Sequence, residues 1–169
     1  NGVAYLAQRG LSPTKIQRIE LDGTFRSLEN SVGKQFTWTA VSSDNELFAN
    51  IWAGTGSGIY SVDATNGAST LVTTIPDAYY GSLTFGPDGQ LYTVVGQASG
   101  ASVMRLSGDI LVPYADLPTF GFGLTIAPDG DFFVSSLGTT WSLYTYDRLS
   151  KLMIRRAPGL NLRPALAHF

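Results

Sequence analysis

A turn flanked by two apolar runs recurs along the chain, and this recurrence limits the fold more than any other feature. FGPDGQLYTV (85–94) is followed forty-one residues later by IAPDGDFFVS (126–135). The Asp-Gly turns at 88–89 and 129–130 are matched by Asp44-Asn45 and by Asn1-Gly2, at intervals of 43, 44 and 41 residues. Self-similarity with a period of about 20–50 residues indicates a structure built from repeated supersecondary units.

Each interval contains the pattern of four short strands. An apolar strand follows every turn, and a third strand and an inner strand lead into the next turn. Asp-Gly and Asn-Gly tolerate positive φ, which two-residue hairpin turns require, so we expect neighbouring strands to pair antiparallel. The second strand of each repeat alternates in polarity and begins fifteen residues after the first turn residue, or fourteen in the last repeat, at Ile16, Ile59, Val103 and Leu143.

Four strands per roughly 42 residues are typical of a β-propeller blade. We therefore predict an all-β fold, with a single β-propeller domain over residues 1–169 that is built of four four-stranded blades. The repeat units run over residues 1–43, 44–87, 88–128 and 129–169. The alternative is a β-sandwich, whose strands also recur every 8 to 12 residues or so.

The two ends of the chain bear on how such a ring closes. The chain begins at a turn without the inner strand that precedes the other turns, and it ends with GLNLRP (159–164), which aligns with the inner strand at 123–128. Three closures fit this pattern: a four-bladed ring in which the last strand completes the first blade, an eight-bladed ring formed by a homodimer, and a piece that requires a missing segment.

Charge and composition exclude several classes of partner. The net charge is −2 and no basic stripe is present, which argues against a nucleic-acid partner. The apolar runs are only a few residues long, so no segment is expected to span a membrane. The absence of cysteine excludes disulfides and thiolate metal sites. It is compatible with both cytosolic and secreted proteins, of which we slightly favour the secreted kind.

The string GLTIAPDGDFFVSSLG…SLYTYDR resembles the blades of NHL and SMP-30/gluconolactonase-like propellers, and all four repeats share its pattern. The resemblance implies a propeller fold. It does not imply one activity, because that group includes calcium-dependent lactonases and esterases, strictosidine-synthase-like enzymes and binding scaffolds. The calcium ligands of the resembling enzymes project from the ends of inner strands around the central channel.

The loops opposite the Asp-Gly turns are predicted to hold the functional site, since loops on a rigid scaffold are where sites usually lie. These loops are rich in aromatic residues beside small polar ones, a combination that suits sugars and other flat or amphipathic ligands. The alternative is that the rings pack between neighbouring blades. The aromatic candidates are Trp52, Tyr79, Tyr80, Phe120, Phe122 and Trp141.

A metal site is not predicted. At the ends of the apolar strands only Gln8 and Asn50 have side-chain oxygens that suit a hard cation, and no carboxylate accompanies them. His168, the one histidine, is next to last in the chain and is a poor base for a catalytic triad. The aspartates at 44, 88 and 129 are assigned to the turns, and the glycine-rich GTGSG (54–58) to a loop without a helix behind it.

These observations favour a ligand-binding propeller over an enzyme. The expected partner is a carbohydrate, another small molecule or a protein, and Gln8 and Asn50 join the six aromatic residues as candidate ligand contacts. No cofactor is expected, and Ca²⁺ belongs only to the alternative, an SMP-30-like or strictosidine-synthase-like hydrolase or lyase whose site is completed by oligomerisation. A third hypothesis is a structural or interaction scaffold.

Overall fold

The computed structural model describes residues 3–8, 15–52, 54–98, 100–117, 120–137, 141–147, 149–150 and 152–158. Within them the chain forms four antiparallel sheets and a short 3₁₀ turn at Glu29–Ser31. Sheet 1 contains β1 (Ala4–Gln8), β2 (Lys15–Ile19) and β3 (Phe25–Ser27), and sheet 2 contains β4 (Phe36–Val41), β5 (Leu47–Ile51), β6 (Gly58–Val62) and β7 (Ser69–Thr73). Sheet 3 contains β8 (Tyr79–Phe85), β9 (Leu91–Gln97), β10 (Gly100–Ser107) and β11 (Ile110–Leu117), and sheet 4 contains β12 (Gly121–Ile126), β13 (Phe132–Leu137), β14 (Trp141–Asp147) and β15 (Leu152–Pro158).

Every sheet is a meander in which each strand pairs with the next strand in sequence. Strand β4 lies beside β1, β8 beside β4, and β12 beside β8, so the sheets follow one another in chain order around their inner strands. The predicted propeller architecture is confirmed. The first sheet has three strands in the described residues, as expected for a repeat that begins at its turn. The predicted closing strand at 159–164 lies outside those residues.

The turns at 44–45, 88–89 and 129–130 differ from the prediction in one detail, because each of these three loops has three residues instead of two. In sheet 3 the Gly86 N–H donates to the Gln90 carbonyl at 2.9 Å, and the Gly89 N–H donates to the Gly86 carbonyl at 2.9 Å. Gly89 has φ of 73° and the equivalent Asn45 has φ of 64°, the positive values that a turn followed by a bulge residue requires. The Asp88 carboxylate accepts from the Gln90 N–H at 3.1 Å, so the turn needs this aspartate for its own backbone.

The sheets pack face to face, always in the same sense. We call the face of a sheet that meets the next sheet its forward face, and the opposite one its backward face. Three apolar clusters lie at the three sheet–sheet contacts, with Ile16 between sheets 1 and 2, Ile59 between sheets 2 and 3, and Val103 between sheets 3 and 4. These residues begin the second-strand pattern of their repeats, so each repeat contributes the same position to its forward face.

Hydrogen bonds link successive sheets near their inner strands. The Thr39 hydroxyl donates to the Tyr5 carbonyl at 3.1 Å, between sheets 1 and 2. The Asn50 amide donates to the Gly81 carbonyl at 2.6 Å, between sheets 2 and 3, and the Leu124 N–H donates to the Ser82 hydroxyl at 2.6 Å, between sheets 3 and 4. Asn50 and Ser82 are buried, so these bonds fix the sheets in positions that apolar packing alone does not define. Among the described residues, no helix has the length and apolar character needed to cross a membrane.

Candidate functional site

Two aromatic residues meet where sheet 2 ends and sheet 3 begins. Trp52 follows β5, and its carbonyl accepts a hydrogen bond from the Tyr80 N–H at 2.8 Å. Tyr79 is the first residue of β8, and its ring centroid lies 5.7 Å from that of Trp52. The backbone bond therefore holds the two side chains at the same end of the molecule, opposite the Asp-Gly turns.

Two phenylalanines from the start of sheet 4 extend this contact. Phe120 precedes β12 and Phe122 lies within it, with 4.9 Å between their ring centroids. The Phe120 ring lies 6.4 Å from that of Tyr79, and the Phe122 ring lies 6.5 Å from that of Trp52. Three consecutive sheets thus contribute to one group of rings, here called the aromatic cluster: Trp52, Tyr79, Phe120 and Phe122.

A bulge determines where Phe122 lies. In sheet 4 the strand register pairs Gly121 with Ser136 and Gly123 with Ser135, which leaves Phe122 as an extra residue of β12. Bulges occur at equivalent places in the inner strands of sheets 2 and 3, around Thr37 and around Gly81. A bulge bends its strand and redirects the side chain that it leaves unpaired. The bulge is common to the three repeats, and in sheet 4 the redirected side chain is the Phe122 ring.

The aromatic cluster borders an open pocket of about 430 Å³. Gln97, at the end of β9, provides a primary amide at its edge and is exposed. Among the described residues of the lining, Tyr79 alone has an ionisable side chain, and none of them has a carboxylate, ammonium or guanidinium group. The lining consists of Trp52, Tyr79, Gly96, Gln97, Ala98, Gly100, Ala101, Leu117 and Phe120.

The sequence-based prediction did not include Gly96 or Gln97. Gly96 pairs with Tyr79 across β8 and β9, and Phe120 fills the space that a side chain at Gly96 would need. The signal was present in the sequence as a glycine and an amide directly after the apolar strand of the third repeat. On the other face of the same strand ends, a smaller pocket of about 350 Å³ contains Asp116, whose carboxylate accepts from the Ser102 hydroxyl at 3.1 Å.

Two predicted contacts are corrected by their burial. Tyr80 is 0% exposed, whereas Tyr79 beside it is 50% exposed, because adjacent residues of a strand point to opposite faces. The Tyr80 hydroxyl accepts from the Ile75 N–H at 2.6 Å, within the core between sheets 2 and 3. Asn50 is also 0% exposed, and its carbonyl oxygen accepts from the Trp38 N–H at 3.2 Å while its amide binds Gly81. Both side chains therefore serve packing and sheet contacts, and neither reaches the pocket.

The other predicted contacts give a mixed result. Phe120 packs partly against the core between sheets 3 and 4, so the alternative of packing between blades applies to it in part. Trp141 and Gln8 lie in strands, where they pair with Leu137 and Lys15, but their side chains lie outside the described part of the structure, as does His168. In the described ranges, no group of three or more His, Cys, Asp or Glu residues is arranged to hold a metal ion.

A larger groove lies at the opposite end, between sheets 1 and 2, with a volume of about 1020 Å³. Its charged residues include Arg18 and Glu20, whose side chains pair at 3.0 Å. Asp22 also lines it, and its carboxylate accepts from the Thr24 N–H at 2.9 Å and from the Thr24 hydroxyl at 2.7 Å. These hydrogen bonds lower the pKa of Asp22 below its ordinary value, the bond from the Thr24 hydroxyl most. The carboxylates of Glu20 and Asp22 thus already have partners in Arg18 and Thr24, and the aromatic pocket is the better candidate for a ligand.

Four consecutive antiparallel meanders, with their inner strands side by side, define the class of the protein as a β-propeller. No protein-family model matches the sequence, and no curated protein matches it. Solved structures do match. A chain of the nidogen/laminin complex superimposes with a TM-score of 0.68 and 14% identity, over 90% of this chain and 60% of that one.

Two enzymes also match at the level of fold. Virginiamycin B lyase from Staphylococcus aureus has a TM-score of 0.60 and 18% identity, over 88% of this chain and 50% of that one. A gluconolactonase from Xanthomonas campestris has a TM-score of 0.59 and 16% identity, over 77% of this chain and 44% of that one. The chain shares the β-propeller fold of these structures and spans about half of their length.

Proposed function

We propose that the aromatic cluster binds an uncharged, partly flat ligand, of which a carbohydrate is the best example. The observation that supports this most is the meeting of four rings from three sheets beside an open pocket whose described lining residues are all uncharged. Tyr79 is half exposed, although an aromatic ring gains free energy by burial, so the ring has area left for a ligand. A sugar face stacks on such a ring while its hydroxyl groups bond to polar groups at the edge.

Gln97 supplies the polar part of this arrangement. Its amide has both donors and an acceptor, as a sugar hydroxyl requires, and it lines the pocket on the side of β9. A charged ligand is a poorer candidate, because the pocket has no side chain of opposite charge to replace the water that such a ligand loses on binding. The absence of charge in the lining thus favours neutral sugars over sugar phosphates or acids.

A glycan array probed with the 169-residue chain is the direct test, followed by titration of each sugar that binds. Trp52→Ala and Tyr79→Ala are expected to weaken binding by about tenfold or more, since a lost stacking contact costs on the order of 1.4 kcal/mol or more with its buried area. Trp52→Phe, which keeps a ring, is expected to weaken it less. Leu71→Ala, on the outer strand of sheet 2, is the control and is expected to change nothing. If both alanine variants bind as well as the parent chain, this assignment is wrong.

A hydrolase or lyase is the second candidate, and the fold neighbours favour it, since they include a lyase and a gluconolactonase. The test is hydrolysis of a sugar lactone by the 169-residue chain, with Ca²⁺ and with a chelator. A rise in melting temperature on addition of Ca²⁺ would support it, because a ligand of the folded state stabilises that state. Sugar binding without turnover, and with no effect of Ca²⁺, would exclude the hydrolase and support the binding function.

A further inference from the structure

Sheet 1 has a backward face that is exposed where its counterparts are buried. Leu6 occupies the position held by Ala49 in sheet 2, Thr93 in sheet 3 and Val134 in sheet 4, since each lies four residues after the last turn residue of its repeat. Leu6 is 48% exposed, whereas Ala49, Thr93 and Val134 are 0%, 0% and 1% exposed. The counterparts differ because each of them packs on the sheet before it.

Sheet 4 shows the same contrast on its forward face. Leu143 begins the second-strand pattern of its repeat, as Ile16, Ile59 and Val103 do in theirs. Those three side chains are 0% exposed, because each packs on the next sheet, whereas Leu143 is only half-buried. Ile154, which lies on the same face of the sheet through Thr145, is 37% exposed.

We propose that a second copy of this chain covers both faces, with the forward face of sheet 4 in one copy packed on the backward face of sheet 1 in the other. Forward on backward is how sheets 1 to 4 pack on one another, so the new contact continues the series of three contacts inside the chain. In the described part of one copy, the backward face of sheet 1 and the forward face of sheet 4 are the two faces without a neighbouring sheet. Two copies related by a twofold axis therefore form two identical contacts and close a ring of eight sheets.

The area of the two contacts fits a stable dimer. Three strands about 4.8 Å apart and six residues of about 3.3 Å each give a sheet face of roughly 300 Å². Two such contacts cover roughly 600 Å² of each copy before side-chain relief is counted, close to the about 800 Å² per partner of a standard interface. One contact alone has half of this, so the closed pair is expected in preference to an open chain of copies.

The chemistry of the two faces also fits this pairing. The apolar residues at the centre of the sheet 1 face are Ala4, Leu6 and Ile19, beside Gln17, and those of the sheet 4 face are Phe133, Leu143 and Ile154, beside Thr145. On the sheet 4 face the Arg156 guanidinium donates to the Thr145 hydroxyl at 2.9 Å, so this charged group has a partner within its own sheet, and contact between the faces removes the surrounding apolar area from water.

The first experiment measures the mass of the 169-residue chain by sedimentation over a range of concentrations. The expected mass is twice the 18.1 kDa of the chain. Leu6→Lys and Leu143→Glu are each expected to give monomers, and Leu149→Glu, in an exposed turn, is expected to leave the dimer intact. A parent chain that is folded and monomeric at every concentration would overturn the proposal, and would leave the two faces for a different partner.

The second experiment tests the head-to-tail arrangement and does not depend on the charged variants folding. Because the chain contains no cysteine, Leu6→Cys and Leu143→Cys each introduce a single thiol. Packed sheets lie about 10 Å apart, so a bismaleimide cross-linker of about that length is expected to join the two variants in a mixture, while neither variant alone forms a covalent dimer. Cross-linking of the Leu6→Cys variant with itself, or none in the mixture, contradicts the proposed contact.

Discussion

The ring of Phe120 occupies the space beside Gly96 that a side chain at that position would need. This contact joins the start of sheet 4 to the end of β9, and it holds one side of the aromatic pocket. The backbone of Gly96 lies in an ordinary strand conformation, so backbone strain does not explain the glycine. The close approach of the Phe120 ring does.

Gly96→Ala is expected to displace Phe120 and to lower the free energy of unfolding by about 1–3 kcal/mol, the usual cost of overpacking. The affinity of the aromatic cluster for a ligand is expected to fall as well, because Phe120 is displaced. The double variant Gly96→Ala/Phe120→Leu is expected to recover most of the lost stability, because the smaller side chain relieves the overlap. Urea unfolding of the four members of this cycle measures the coupling, and strictly additive effects would show that the contact is unimportant.

The buried Asn50 side chain connects sheets 2 and 3 through its bond to the Gly81 carbonyl, and it accepts a second, part-buried bond from the Trp38 N–H within sheet 2. Asn50→Leu is expected to destabilise the chain by about 2 kcal/mol or more, because the part-buried Trp38 N–H and the buried Gly81 carbonyl both lose their partner, and an unsatisfied buried group costs about 1–3 kcal/mol. Asn30→Leu, at an exposed position, is the control. Chemical denaturation of both variants provides the comparison, and equal stabilities would argue that water replaces the Asn50 amide.

The Asp63 carboxylate accepts hydrogen bonds from the Thr65 N–H at 2.8 Å, the Thr65 hydroxyl at 2.6 Å and the Asn66 amide at 2.7 Å. The pKa of Asp63 lies below its ordinary value of 3.8, chiefly because of the bond from the Thr65 hydroxyl. Since the folded state has the lower pKa, the stabilisation is complete above 3.8 and is lost as the pH falls through the folded-state value. Asp63→Ala is expected to lower the melting temperature at pH 7, and the difference from the parent chain is expected to shrink below pH 3.8.

Asp63→Asn is the control for this titration, because it keeps one acceptor oxygen and has no charge at any pH. Its difference from Asp63→Ala is expected to be independent of pH. A constant difference between the parent chain and Asp63→Ala down to pH 2 would contradict the role assigned to the charge.

Tyr92 connects the core between sheets 3 and 4 to the turn before its own strand. Its hydroxyl donates to the Asp88 carboxylate at 2.8 Å, and the pKa of Tyr92 is raised, first by burial and then by this bond. Tyr92→Phe is expected to lower the free energy of unfolding by about 1.5–3 kcal/mol at neutral pH, as for other bonds to a charged acceptor. In an alkaline spectrophotometric titration the variant is expected to lose a tyrosine that ionises late. An unchanged titration curve would mean that the hydroxyl is free in solution.

The repeat by itself determined the number of sheets and the order of their strands. Period-two alternation and corners that tolerate positive φ act within a few residues, so they can be identified from the sequence. The same reasoning gave a two-residue corner, which is wrong, because the number of residues in the loop depends on how the two strands align. The bulges around Thr37, Gly81 and Phe122 were missed for the same reason.

The candidate contacts were predicted one by one without their arrangement, and their role in binding stays a prediction. Trp52, Tyr79, Phe120 and Phe122 were among the candidates and form one cluster in the structure. Tyr79 and Tyr80 are adjacent and chemically identical, and the sequence has no means to separate them. Only the packing of sheet 3 on sheet 2 decides that Tyr80 is buried and Tyr79 is half exposed. Local sequence sets which residues alternate along a strand, whereas the neighbouring sheet determines which of the two sets meets solvent.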